Sequence, residues 1–556
     1  MTITTAKLSH AVARAWACPL ALAGLTALLA APGAYAIELD IDLDAAKKRV
    51  EGLDIVKTNP NSWRVVPSIT VRQIYSDNMG HEPDERKSGQ FLTEIAPGAS
   101  VRHKSRRLAV DGDFRFNYYL NADESRGMNR SSNQLSGNAL AELVDDWIFV
   151  DASARIFQQG ISPFSQLVAN DNYVGTNRAS VRTWSISPYM LNRFGRLAQS
   201  ELRYVRDSVT GAAGLGDSTG DTLSARLNSG SHYQDFTWGV SASDQRIDDT
   251  VANDSHIQLG KVNLGYQLFS TLAVTGAVVY DNYDYDALGG TNGGRGWNTG
   301  LRYTPSRRTS VEASVGRRFY GPSRALTAVH RTRRATWNIT YDDAIVTTRS
   351  NFLLTASIDP ITGRPRVALA PPRRPTPILT DPVNPNAPPR PILPGMAPPV
   401  FSSGNDGAIN FFSNRFFLQE QLRAGVTLRG ARTVAALSAF KVRREALSVR
   451  SVDDVILGNP INNINDNVSQ VGMDATVSYR LAPRTELNLL ANVADNESLT
   501  TGFKARSLSA RLFISHKIGR NITGTAELTR AQGLIGLTEG SRFTANSVSA
   551  SLNIQL

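Results

Sequence analysis

The chain has a single cysteine, Cys18, and it lies in an apolar leader. Beyond the leader there is no thiol, which excludes disulfides, cysteine metal sites and a cysteine nucleophile. No acid precedes Glu38, and after the leader no apolar run reaches the roughly 18–20 residues that a membrane helix needs. There is no H-E-x-x-H, no G-x-S-x-G and no G-x-x-x-x-G-K-[ST]. The later histidines, His81, His103, His232, His256, His330 and His516, stand isolated. These absences argue against an enzyme, a cofactor and a metal centre. The acids of Asp281-Asn282-Tyr283-Asp284-Tyr285-Asp286 offer hard oxygens to calcium, without a spacing that fixes a site; solvated loop acids account for them better.

What the start of the chain does contain is a leader. Lys7 and Arg14 make a basic head, 15–30 is apolar, and Ala34-Tyr35-Ala36 is a small-x-small cleavage site. Residues 1–36 read as a signal peptide, with Ile37 the first mature residue. Formal net charge is +11, and +9 once Lys7 and Arg14 leave with the leader. The basic residues are scattered through strands and turns and form no basic domain, so nucleic acid is not an expected partner. Residues 37–62 read as a short periplasmic lead. Within it 42–56 fits one amphipathic helix, with Leu43, Ala46, Val50 and Leu53 on a face. The lead is far too short for an independent plug domain.

At the other end, Val548, Ala550, Leu552, Ile554 and Leu556 alternate with Ser549, Ser551, Asn553 and Gln555. Period two means a strand with one apolar and one polar face. A half-buried strand of a soluble sheet would look the same, as would the closing strand of an outer-membrane barrel; the leader favours the barrel. From Trp63 onward such runs recur at 9–14 residues, the length of a tilted membrane strand. Leu108, Val110, Phe114, Phe116 and Tyr118 oppose Asp111, Asp113, Arg115 and Asn117. Leu223, Ala225 and Leu227 oppose Ser224, Arg226 and Asn228, while Val311, Ala313 and Val315 oppose Glu312, Ser314 and Arg318. Met473, Ala475, Val477 and Tyr479 oppose Asp474, Thr476, Ser478 and Arg480; Ile522, Ala526 and Leu528 oppose Thr523, Thr525, Glu527 and Thr529. Charges recurring opposite apolar faces imply a wet lumen, with Arg115, Arg226, Arg318, Glu312, Asp474 and Glu527 as candidate lumen-facing residues.

Short turns are expected near 103–106, 145–146, 192–196, 230–233, 268–270, 305–308, 342–343, 429–431, 481–483 and 517–520. Between them fall longer loops at 76–90, 121–133, 159–180, 209–220, 247–255, 284–296, 320–330, 356–411, 445–468, 497–505 and 532–542. Short periplasmic turns alternating with long external loops are the outer-membrane pattern. Ten turns and eleven loops predict an all-β, antiparallel, up-and-down barrel over 63–556, of about 22 strands within a range of 20–24.

Loop 356–411 stands apart. Between 359 and 400 it holds fourteen of the 26 prolines. Proline cannot donate to a sheet ladder, so this is not strand. It reads either as a tolerated surface insertion or as a segment that folds into the lumen. In the second case Arg364, Arg366, Arg373, Arg374 and Arg390 form a candidate gate, able to pair with inward acids or to attract an anionic polysaccharide.

Several stretches between 63 and 210 carry a family resemblance: Val66-Pro67-Ser68-Ile69 leading to Tyr75-Ser76-Asp77-Asn78, 91–98 (FLTEIAPG), 142–154 (ELVDDWIFVDASA), 186–195 (ISPYMLNRFG) and Glu201-Leu202-Arg203-Tyr204. The chain resembles the outer-membrane β-barrels associated with PEP-CTERM/exosortase systems, within the broader barrel-porin group. The proline-rich insertion departs from that pattern. The resemblance implies outer-membrane location, outer-membrane lipid as surroundings and the company of exopolysaccharide and protein-sorting loci. It implies no catalytic residues. Two functions follow as expectations: a passage for exopolysaccharide or another hydrophilic solute, or a closed barrel that holds periplasmic export components.

Overall fold

In the computed structural model, residues 63–556 are described except 123–127, most of 161–177, 212–216, 234, 251–252, 286, 289–290, 356–412, 414, 449–466 and 535–541. The leader 1–36, the lead 37–62 with its helix at 42–56, and loop 356–411 with Arg364, Arg366, Arg373, Arg374 and Arg390 lie outside the described residues.

The strands are β1 Arg64–Ser76, β2 Gln90–Lys104, β3 Leu108–Leu120, β4 Ser131–Val144, β5 Ile148–Gly160, β6 Arg178–Phe194, β7 Ala198–Gly211 and β8 Ser218–Ser229. They continue as β9 Phe236–Asp249, β10 Ser255–Phe269, β11 Leu272–Asp284, β12 Gly293–Ser306, β13 Thr309–Arg318, β14 Gly321–Arg331 and β15 Ala335–Val346. After a helix, α1 Thr348–Thr355, come β16 Phe417–Arg429, β17 Thr433–Ala446, β18 Val468–Ala482, β19 Thr485–Ser498, β20 Lys504–Lys517, β21 Ile522–Leu534 and β22 Arg542–Gln555. Each strand pairs antiparallel with its neighbours in sequence, and β22 pairs with β1, so the 22-stranded sheet is closed.

Closure follows from the solvent. In hydrocarbon every backbone N–H and C=O needs an internal partner, and an open sheet has two edges without one. The seam runs from Ser68↔Gln555 to Ser76↔Ser547. It is extended at one end by Leu556 N–H to Pro67 O (2.9 Å) and at the other by Asp77 N–H to Asn546 O (3.1 Å). The Asp77 carboxylate also accepts from the Asn546 backbone and side-chain amides, both at 2.7 Å. The loop after β1 is thereby tied to β22, with His81 stacked on Phe543 at 4.5 Å.

Alternation sets the two faces. Val548, Leu552, Ile554, Leu512, Leu528, Val471 and Met473 are exposed on the outer surface, whereas Ser549, Asn553, Glu527 and Arg511 are buried on the inner one. Among the described residues no helix is long and apolar enough to cross a membrane; the crossing is made by strands. A closed barrel with an apolar exterior, short turns at one end and long loops at the other is an outer-membrane barrel. Its short turns mark the periplasmic end.

One stretch departs from the sequence expectation. A long loop at 320–330 and a turn at Asp342-Asp343 were expected; instead Phe319 and Tyr320 alone join β13 to β14, and β15 runs through both aspartates. The compensating turn is 332–334. Gly321-Pro322 resembles a breaker, yet Gly321 (φ 126) makes the turn and Pro322 sits at the start of a strand, where a missing donor is tolerated. Asp343 accepts from the Tyr320 hydroxyl (2.8 Å), the Ser323 hydroxyl (2.7 Å) and the Arg324 N–H (2.5 Å). Two compensating shifts leave the strand number unchanged. The expected strand after 343 also ends early, because Thr347 and Ser350 cap each other reciprocally (3.0 and 2.9 Å) and start α1.

Two outcomes test the topology. Deleting 548–556 removes most of the seam and should abolish assembly; heat-modifiable barrel in normal amount would refute the closure. Leu512→Arg, facing lipid, should destabilise by about 2–4 kcal/mol near the midplane, and the inward Ser509→Arg by less. Equal loss of folded fraction in liposomes would contradict the facing.

Candidate functional site: the lumen

All six candidate residues lie on the inner face, and they enter different groupings. Glu527 on β21 accepts two bonds from Arg511 on β20, at 2.7 and 2.8 Å, and lies 3.5 Å from Arg72 on β1. Arg72 in turn donates to Ser549 (3.0 Å) and lies 3.5 Å from Glu94 on β2, which accepts from Asn117 on β3. This network spans the β1–β22 seam from inside, and Arg72 is 3% exposed. Arg115 is buried on β3, beside Asn117 on the same face. Arg318 forms an ion pair with the fully buried Asp281 (2.8 Å from Nε), so Asp281 is a strand residue engaged by a cation rather than a loop acid. Glu312 pairs with Arg302 (3.0 Å). Asp474 accepts from Asn492 (2.6 Å) and Ser438 (3.3 Å). Arg226 is half-buried on β8. Among the described residues no group of three metal-ligating side chains gathers.

Sequence reasoning missed Arg72, Glu94, Arg511, Asp281 and Arg302. Parity along their strands places each inward and was the available signal; their pairing depends on the ring order of strands far apart in sequence.

Three contacts span the lumen at the loop end. Phe164, after β5, is 1% exposed and packs on Phe440, Val442, Val468, Ala494, Ala505 and Leu534, the wall made by β17 to β21. It meets Phe503 edge-on at 5.5 Å. In a ring of 22 strands this reaches nearly to the opposite side. The second crossing is α1, which leaves β15 and docks on β5 to β8. Phe352 is fully buried among Phe157, Ala179, Val181 and Val209. Arg349 binds the Asp207 carboxylate and donates to Ser218 at 3.0 Å. The fit is close: a Cβ on Gly220 would stand 2.6 Å from the Arg349 guanidinium. In the third, Phe416 before β16 stacks on Tyr285 at 4.6 Å and packs with Ile247, Ile257, Leu259 and Tyr283 of β9 to β11. Beside it Ala287 bridges to Ser448, and Leu288 N–H donates to Leu447 O (2.9 Å).

The lumen is thus a polar tube whose outer mouth is spanned by aromatic anchors. Such a tube can pass or hold hydrophilic material; it offers no nucleophile–base pair among the groups described above.

No protein-family model matches the chain, and no curated protein matches it in sequence. Among solved structures it is similar to the siderophore receptor PirA from Pseudomonas aeruginosa, at 11% identity over 89% of this chain and 81% of that one, TM-score 0.43. It is similar also to the FrpB iron transporter from Neisseria meningitidis, at 10% identity over 92% and 83%, TM-score 0.46. At such scores what those proteins carry does not extend to this chain.

The seam network is the most demanding part of the wall. Removing one partner of a buried ion pair leaves the others uncompensated, so Glu527→Ala should cost about 3–5 kcal/mol. Urea unfolding in detergent checks it, and a loss below about 1 kcal/mol would show the network to be unimportant to stability.

Proposed function

We propose that this barrel is a non-enzymatic passage across the outer membrane for exopolysaccharide or a similar hydrophilic solute, working beside an exopolysaccharide/exosortase locus. The observation that carries the reading is the polar inner wall behind an apolar exterior. Its charges are largely met in pairs, such as Arg511–Glu527 and Arg302–Glu312, and amides such as Asn492 lie between them. Paired charges leave little net field of either sign, while amides and hydroxyls exchange hydrogen bonds readily with sugar hydroxyls. An anionic polysaccharide and periplasmic export components are the partners this reading calls for.

The three crossings favour a second reading, a closed structural or assembly barrel that holds such partners without conducting. One experiment separates the two. Phe352→Ser combined with Arg349→Ala removes both anchors of α1 and leaves the strands intact. In planar bilayers the passage reading expects small or rare openings from the parent and conductance at least about threefold higher from the variant. Folded protein that stays silent in both forms would support the closed barrel.

A further inference from the structure

The basic residues are not evenly spread over the folded barrel. Five consecutive periplasmic turns, from β12–β13 to β20–β21, carry Arg307, Arg308, Arg333, Arg334, Arg432, Arg484 and Arg520. None of the five turns contains an aspartate or glutamate. All seven arginines are exposed, and none has an acidic partner among the described residues. The other five turns are mixed: β6–β7 carries one arginine, Arg196, without an acid, and β10–β11 carries no charge. Arg106 and Arg107 face Asp145 at 3.8 and 2.8 Å, and Asp146 and Asp235 add further negative charge. One half of the periplasmic rim is therefore an arc of unpaired guanidinium groups.

The turns in this arc are two to four residues long, so they hold the arginines where the strands leave the hydrocarbon. Within a few residues stand the exposed, lipid-facing Tyr303, Trp337, Leu428, Tyr479, Ile518 and Ile522. Tyrosine and tryptophan at this height mark the membrane interface. Of the inward cations near this rim, Arg302 and Arg480 each face a glutamate, Glu312 at 3.0 Å and Glu486 at 3.9 Å. Arg331, Arg429 and Lys517 end their strands without an acidic partner among the described residues. Unpaired positive charge is densest on the exposed turns themselves, where the seven arginines stand together.

We propose that this arc binds the anionic headgroups of phospholipids in the periplasmic leaflet. A guanidinium matches a phosphate in two parallel hydrogen bonds, and clustered cations at a membrane surface gain from each acidic lipid nearby. The bound lipids would form a fixed half-collar and set which side of the barrel meets acidic lipid.

The test uses the full folded barrel in detergent micelles doped equally with phosphatidylglycerol and phosphatidylcholine, with retained lipid counted by native mass spectrometry. The parent should retain phosphatidylglycerol about tenfold over phosphatidylcholine at low salt, with the preference weakening as salt rises. R307Q/R308Q/R333Q/R334Q should lower it to about twofold while heat modifiability stays at the parent value. R106Q/R107Q, in the half where those arginines face an aspartate, should leave it near tenfold. Equal retention of the two lipids by the parent, or an unchanged preference in the fourfold variant, would overturn the proposal. So would an arc that binds soluble alginate or an acidic peptide without preferring the anionic lipid.

Discussion

Everything in this molecule depends on backbone hydrogen bonding in a solvent that offers none. A strand in hydrocarbon must have a partner on both sides, and only a closed ring gives each of 22 strands two partners. The seam between β1 and β22 is where that requirement is met last, between residues more than 470 positions apart. The structure reinforces it on three levels. Ladder bonds run through the membrane, Asp77 and Asn546 tie it at the loop end, and Arg72, Glu94, Arg511 and Glu527 cross it from the lumen.

Closure then creates the functional problem. Ring geometry fixes a wide interior, and an inner wall of polar side chains keeps it wet. The described loop residues respond by turning inward: Phe164, Phe352 and Phe416 each seat an aromatic ring on a distant wall. Apolar anchors suit this task. They gain from burial wherever an apolar patch is present, without needing the exact alignment of a polar bond. The crossings seat on patches near the loop end, as at Val181 and Val209, while a separate cluster of Leu140, Phe149 and Tyr189 lies on the wall near the periplasmic end.

The sequence carries the parts of this architecture that are local. Alternation in 548–556 and its counterparts gives strand faces, and turn chemistry gives nearly every connection. The misplacement around β14 arose where local signals conflict, since Gly321-Pro322 and Asp342-Asp343 both resemble turns and only the cross-strand bonds to Asp343 decide otherwise. The inward position of Arg511 or Arg72 is legible from parity, whereas their meeting at Glu527 requires knowing that β20, β21, β22 and β1 are neighbours. The crossings have no local signature at all. Nothing in the residues around Phe352 points to a pocket formed by Phe157, Ala179 and Val209. Charge behaves likewise: the arginines look scattered along the chain, and folding collects seven of them on one arc of the rim.

The central claim is that the outer mouth is spanned from wall to wall by segments of this chain. The absence of other thiols after the leader makes it directly measurable. In a Cys18→Ser background, Phe352→Cys and Val209→Cys place one thiol on α1 and one on β7, in side chains that pack together. Oxidation of the folded protein in native membranes should lock the pair into an intramolecular disulfide, seen as a reducible mobility shift of the unfolded chain that neither single variant shows. If both cysteines instead react freely with a membrane-impermeant maleimide and no cross-link forms, α1 does not span the lumen, and the account of the mouth is wrong.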